Sequence, residues 1–243
     1  MPSAAMRFAL LTCALVVANA VVANAAVANA VVANAAVANA AAANAAAENT
    51  VAAQPAPTVV STPDTTVAVG LDLPEEDWED YLSGCSLLCA IGWTTTASSV
   101  LAPQGANRYA AEEAEDGDLR SAWVEGADGP GLGEHLTMTL GHPDEDLPDD
   151  FVTSLWGLRA VTGYAKSAQT WAANGRVRHL EVRVNGRPVT VVALNDTAML
   201  QEATWDGVEV RAGDRIDLVV RSVYPGSRYD DTALSEVLLL GAH

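Results

Sequence analysis

Between Arg176 and Leu194 a β-hairpin is legible in the residues themselves. Val177, Leu180, Val182 and Val184 fall near one face at the two-residue period of a half-buried strand, with one irregularity. Asn185-Gly186 follows, a dipeptide that accepts the positive φ angles of a two-residue turn, and Pro188–Leu194 returns as the second strand. Similar alternation predicts strands over Gly92–Ser98, His135–Leu140, Leu155–Gly163, Met199–Trp205, Ile216–Val223 and Leu234–Leu240. Helical candidates are confined to Pro74–Leu82 and one turn at Gln169–Ala173. Short strands divided by Gly, Pro, Asn and Asp predict an all-β fold, an antiparallel jelly-roll sandwich. Roughly 160 residues are enough to close one such core without a metal or a second domain.

The amino-terminal part has a different character. Met1–Arg7 carries one base, Phe8–Ala18 is a short apolar run, and Ala18-Asn19-Ala20 offers a small-residue cleavage pattern. That layout predicts a secretory signal peptide over residues 1–20, with an uncleaved signal anchor as the alternative and the one route to a membrane. Asparagine then recurs every five residues, from Asn19 to Asn49, in a background of Ala and Val. Alanine buries too little surface to hold a pentapeptide solenoid together, so residues 21–53 are expected to be a low-complexity tract. Residues 54–84 read as a Pro/Thr linker followed by an acidic segment, and the folded domain is expected over 85–243, with its start between Asp72 and Ser86.

The formal net charge is -18, and it is unevenly spread. Residues 48–150 hold 21 acids against Arg108 and Arg120, whereas residues 151–243 hold ten of each sign. Such a balance repels phosphate and argues against nucleic acid and anionic membranes as partners. Cys85 and Cys89, in a chain expected to be exported, predict a local disulfide; free thiols or half of a metal site are the alternatives. No Gly-x-Ser-x-Gly, no His-Glu-x-x-His and no phosphate-binding glycine loop is present, so the sequence points to a chain that is not an enzyme.

Two groups of residues could bind something. Asp116-Gly117-Asp118, with Ser121 and Trp123 after it, makes an acidic turn whose oxygens suit a hard cation, although it could equally be a solvated turn. Elsewhere Trp123 and Glu125, Tyr164 and Lys166, and the cluster Arg228, Tyr229, Asp230 and Asp231 set aromatic rings beside charges at strand ends. Sugars are held that way, a ring covering the apolar face of a pyranose while charged groups bond its hydroxyls. Each of these residues also has a structural reading, Trp123 above all as core.

The segments Ala122–Gly126 (AWVEG), Gly163–Lys166 (GYAK) and Tyr224–Glu236 (YPGSRYDDTALSE), preceded by CSLLC, resemble the NADase-type glycan-binding domain. That module is a discoidin-related member of the galactose-binding-like jelly rolls, and the resemblance covers about residues 85–243. It implies an exported or cell-envelope, non-catalytic module that recognises glycans through strand-end loops, without an organic cofactor. It also implies a structural calcium held by Asp116, Asp118, Ser121 and Glu236, with Trp123 completing the loop pattern. The alternative is a protein-binding, adhesion or structural module without glycan affinity. Two departures stand out: Gly141–Trp156 is long and acidic, and Val161-Thr162 stands where an asparagine is expected nearby.

Overall fold

A computed structural model describes residues 63–72, 81–82, 86–141, 148 and 150–242. The expected signal peptide, the Ala/Asn tract, most of the Pro74–Leu82 helix and Cys85 of the expected disulfide lie outside the described residues. Tyr81 and Leu82, the end of that helix, are helical.

Among the described residues eleven strands form the fold: β1 (Thr65–Val67), β2 (Val69–Gly70), β3 (Trp93–Ala97), β4 (Trp123–Val124), β5 (His135–Leu140), β6 (Val152–Thr162), β7 (Gly175–Val184), β8 (Arg187–Ala193), β9 (Gln201–Arg211), β10 (Arg215–Tyr224) and β11 (Thr232–Ala242). Besides the helical Tyr81 and Leu82, the described residues include two short helices, α1 (Leu87–Ala90) and α2 (Ala168–Ala173), and a 3-10 turn at Ala111–Ala114. One ladder runs β1-β8-β7-β10-β5-β3 and the other β2-β9-β6-β11-β4. Among the described residues they join where Thr232 and Ala233 of β11 run parallel to Gly175 and Arg176 of β7. Leu136, Met138, Leu180, Ile216 and Leu218 from the first ladder share one core with Leu155, Leu158, Leu239 and Leu240 from the second. Two sheets face to face across a core, as expected, form the sandwich.

Local detail follows from composition. Asn185 and Gly186 both have positive φ, 51° and 76°, the geometry the β7–β8 hairpin requires. The irregularity after Val177 coincides with register shifts around Ser222 in the β7–β10 pairing, so both strands break period at one place. β11 is buried along both faces, because α1 and the 3-10 turn cover the side turned away from the core. That explains the unbroken run Leu238-Leu239-Leu240. Gly241 admits α1: a Cβ there would stand 2.4 Å from Leu87 Cδ1.

Three expectations need correction. The folded part begins before Asp72, since β1 pairs parallel with β8 and β2 antiparallel with β9. Ala68 between them is 2% exposed and lies in the core. The pairing is therefore mixed and not purely antiparallel. Finally, β6 and β9 extend beyond their expected spans, from Val152 and as far as Arg211.

Candidate functional site

In the Ala122–Gly126 segment the two residues expected to bind, Trp123 and Glu125, are both buried. Trp123 is 1% exposed, and its indole N–H donates to the Ser99 carbonyl at 3.0 Å. Glu125 is fully enclosed; its carboxylate accepts from the Thr232 N–H (3.1 Å) and the Ala127 N–H (2.8 Å). Burial raises its pKa, only partly offset by those two donors. Both were candidates to touch ligand; Trp123 instead anchors β4 to the segment after β3, and Glu125 ties the loop after β4 to the start of β11. A strand backbone buried at an irregular edge needs a side-chain acceptor, and Glu125 is that acceptor.

The other predicted side chains do converge. Three loops, remote in sequence, enclose a basin of about 530 Å³. The first, before the 3-10 turn, brings Gln104, Asn107 and Tyr109; the second brings Tyr164, Lys166 and the body of α2; the third brings Arg228, Tyr229 and Asp231. Asp230 is exposed and does not line it.

Each loop is fixed by identifiable contacts. Ser167 caps α2, its hydroxyl accepting from the Thr170 N–H at 3.1 Å. The helix's last carbonyls then receive the third loop: Ser227 N–H donates to Ala172 O (3.0 Å), and the Arg228 and Tyr229 amides donate to Ala173 O (3.1 and 2.9 Å). A Cβ at Gly226 would lie 2.4 Å from Tyr229 O and 2.5 Å from Ala173 O, so only glycine permits this docking. Arg176, mostly buried, pairs with Asp196 through two bonds (2.7 and 3.1 Å) and also donates to the carbonyls of Asn174 and Pro225. On the first loop Tyr109 adopts φ 62°, unusual for a residue with a side chain. The Glu113 carboxylate holds it there by accepting the Tyr109 N–H at 2.9 Å.

The floor is aromatic and polar together. Tyr109 and Tyr164 pack edge to face, centroids 6.1 Å apart. Asn107 links their hydroxyls, donating to Tyr109 (3.3 Å) and accepting from Tyr164 (3.3 Å), and it also accepts from Lys166 Nζ at 2.9 Å. Burial pushes the Tyr164 phenol up to about 12, so it stays protonated and able to donate. Tyr229 is 42% exposed, with the Arg228 guanidinium 5.0 Å from its ring centre. Asp231 titrates above the usual carboxylate range, first from burial and then from neighbouring Asp230. Gln104, Asn107 and Tyr109 had no strand-end or motif signal; the nearest hint was a polar and aromatic run, QGANRY, between two apolar segments.

The acidic turn comes close to β11 elsewhere. Glu236 is 2% exposed, and its Oε1 has no hydrogen-bond partner. Burial, then the Asp116 carboxylate, pushes its pKa up to about 8, while the Gly117 amide pulls the other way. Glu115, Asp116, Gly117 and Glu236 line one hollow of about 280 Å³. Ser121 Oγ lies 2.8 Å from Asp116 Oδ2 and 2.7 Å from the Asp118 carbonyl. The Asp118 carboxylate is instead held by Arg120, with bonds of 2.8 Å from Nε and NH2. Among the described residues no three His, Cys, Asp or Glu side chains are grouped as metal ligands. A larger open hollow, about 800 Å³, borders the β7–β8 turn and β9; it contains none of the residues expected to bind.

Comparison with known proteins adds relatives of low identity. The paired CBM32 domains of Clostridium perfringens ZmpB, solved in complex with GalNAc, align at 12% identity and TM-score 0.49, covering 73% of this chain and 40% of that one. This chain thus spans well under half of that structure's length. A CBM32 module of Clostridium perfringens GH89, in complex with GalNAc-β-1,3-galactose, aligns at 16% identity and TM-score 0.44 over 61% of this chain and 94% of its own. The family 32 carbohydrate-binding module of Streptococcus pneumoniae EndoD aligns at 12% identity and TM-score 0.42, over 62% and 96%. No curated protein matches. Residues 89–240, more than half of the chain, match the NAD glycohydrolase translocation F5/8 type C domain, and the chain belongs to that family.

Proposed function

We propose that the chain is an exported carbohydrate-binding module that takes a glycan in the basin between its three loops. The observation that carries this is the meeting of Tyr164, Lys166, Arg228, Tyr229 and Asp231 with Asn107 and Tyr109 in one hollow. Its volume falls within the ordinary range for small-ligand sites. The exposed Tyr229 ring offers a stacking face, and the hydroxyl, amide and charged groups supply hydroxyl partners. Asp231 is the one carboxylate lining the basin, whereas glycoside hydrolysis ordinarily needs two flanking the bond. A single carboxylate on the basin wall supports binding over hydrolysis.

The turn at Asp116 and the carboxylate of Glu236 fit a calcium ion in part. The buried Glu236 carboxylate is repelled by the exposed Asp116 carboxylate, and its Oε1 lacks any donor. Asp116 and Glu236 would hold the ion, with Ser121 and backbone carbonyls as the oxygens nearest to hand. Its chemistry would be charge neutralisation, tying the turn to the last strand. Asp118 would contribute through its carbonyl at most, because its carboxylate is engaged with Arg120.

A glycan array probed with the whole chain tests the binding proposal. Signal that disappears in Tyr229→Ala and Asp231→Ala, with the far-ultraviolet circular dichroism unchanged, supports it. Silence across the array alongside a specific protein partner would favour an adhesion module.

A further inference from the structure

We propose that the glycan held in the basin is anionic, carrying a carboxylate or sulfate that sits between Lys166 and Arg228. This rests on the glycan-binding reading and specifies its ligand.

The basis is where unpaired cations occur. The chain has thirteen basic residues against thirty-one acids, and Lys166 is its single lysine. Among the described residues seven arginines form ion pairs: Arg108 with Glu113, Arg120 with Asp118, Arg159 with Glu202, Arg176 with Asp196, Arg215 with Asp217, and Arg183 and Arg221 both with Glu181. Arg178, Arg187 and Arg211 form none among the described residues, but they do not line the basin. Neither Lys166 nor Arg228 has an ion-pair partner among the described residues. Lys166 instead donates to a neutral amide oxygen, that of Asn107, and sits 5.9 Å from the Tyr164 ring centre. Arg228 lies over Tyr229, and its backbone N–H, not its guanidinium, makes the bond to α2.

Ring contacts of this kind hold a cation in place without consuming its charge. The guanidinium keeps a planar fork of donors free, which suits the oxygens of a carboxylate or sulfate. Asp231 is the opposing charge on the basin wall, leaving two cations against one carboxylate there. Asp118 and Asp230 lie near enough to act on Lys166 and Asp231, so the basin is not a positive patch; what it offers is two cations that no carboxylate among the described residues holds in an ion pair. A neutral sugar would leave both cations without a partner. An acidic one completes them.

A glycan array carrying matched neutral, carboxylated and sulfated members of the same oligosaccharides decides the matter, followed by calorimetry on the strongest triplet. The expected result is that acidic members bind about tenfold tighter than their neutral parents at low salt. That preference should shrink when salt is raised severalfold. Lys166→Gln and Arg228→Gln should each lower acidic affinity by a larger factor than neutral affinity, so that the acidic-to-neutral ratio falls toward one. The carboxylated and sulfated arms separate the two sources of charge. Equal affinity for neutral and acidic members, or a preference that survives both substitutions, overturns the charge assignment and leaves the glycan reading standing. If nothing on the array binds while circular dichroism and melting show a folded protein, both fall together.

Discussion

At the scale of single residues, the most exposed liability is Glu236. A carboxyl whose pKa rises from 4.5 to about 8 on folding binds its proton more tightly in the folded state. Its contribution to stability is therefore fully present below about 4.5 and is lost as pH climbs toward about 8. In chelator, the melting temperature should fall across that window, and Glu236→Gln should flatten the fall. Added calcium should restore the wild type at pH 8 and leave Glu236→Gln unchanged; no calcium response in either protein would remove the metal proposal. Glu125 makes the opposite kind of case, a buried carboxylate with both oxygens used. Glu125→Ala strands two backbone donors and should cost about 3 kcal/mol in urea unfolding. Glu125 and Glu236 look alike in sequence, each an acid beside apolar residues. Only their surroundings separate a filled acceptor from an unfilled one.

At the scale of elements, α2 and the loop after β10 behave as one unit. The helix has six residues and few apolar contacts of its own, so its cap and its docked loop maintain it. Ser167→Ala removes the cap and should destabilise by about 1 kcal/mol. Gly226→Ala should act differently: the added methyl meets two backbone oxygens, and the loop must lift from Ala173. Binding in the basin should be lost while the strands of the core keep their hydrogen-exchange protection. Equal glycan affinity in Gly226→Ala would show that Arg228 and Tyr229 are not needed where the structure places them. The motif running from Tyr224 to Glu236 thus has several separate jobs. Gly226 admits the docking, Arg228, Tyr229 and Asp231 face the basin, and Thr232 bonds Glu125. Ser235 accepts from the Ala165 N–H and donates to Ser121 O, joining two loops.

At the scale of the whole molecule, β1 and β2 close the sandwich at one side. One pairs with β8 of the first ladder and the other with β9 of the second, with Ala68 buried between. Asn195 reinforces the join by donating to the Ala68 carbonyl at 2.9 Å. These strands precede the region matched by the family, which starts at residue 89. Deleting residues 1–70 leaves both edge strands unpaired, and unpaired edges recruit other chains. The truncated protein should melt earlier and show dimers or larger species by light scattering after gel filtration. A monomer with unchanged melting temperature would mean the two strands are ornaments on a core complete without them.

Much of this fold was written in local pattern. The β7–β8 hairpin, the β5 span and the α2 turn depend on neighbours in sequence, through φ preferences and side-chain alternation, so residues alone determined them. The same holds for the polar loop after β10, whose composition marked it as a loop between two strands. What neighbours in sequence cannot fix is which side of a strand end is enclosed. Trp123 and Glu125 have the chemistry of a sugar site, yet packing against Ser99 and Thr232 buries them. Asn107 and Tyr109 became part of the basin only because Glu113 bends the chain at Tyr109 and the β-sandwich brings three distant loops to one end. Side-chain chemistry is local, but burial and convergence are properties of the closed chain, and they decided the site.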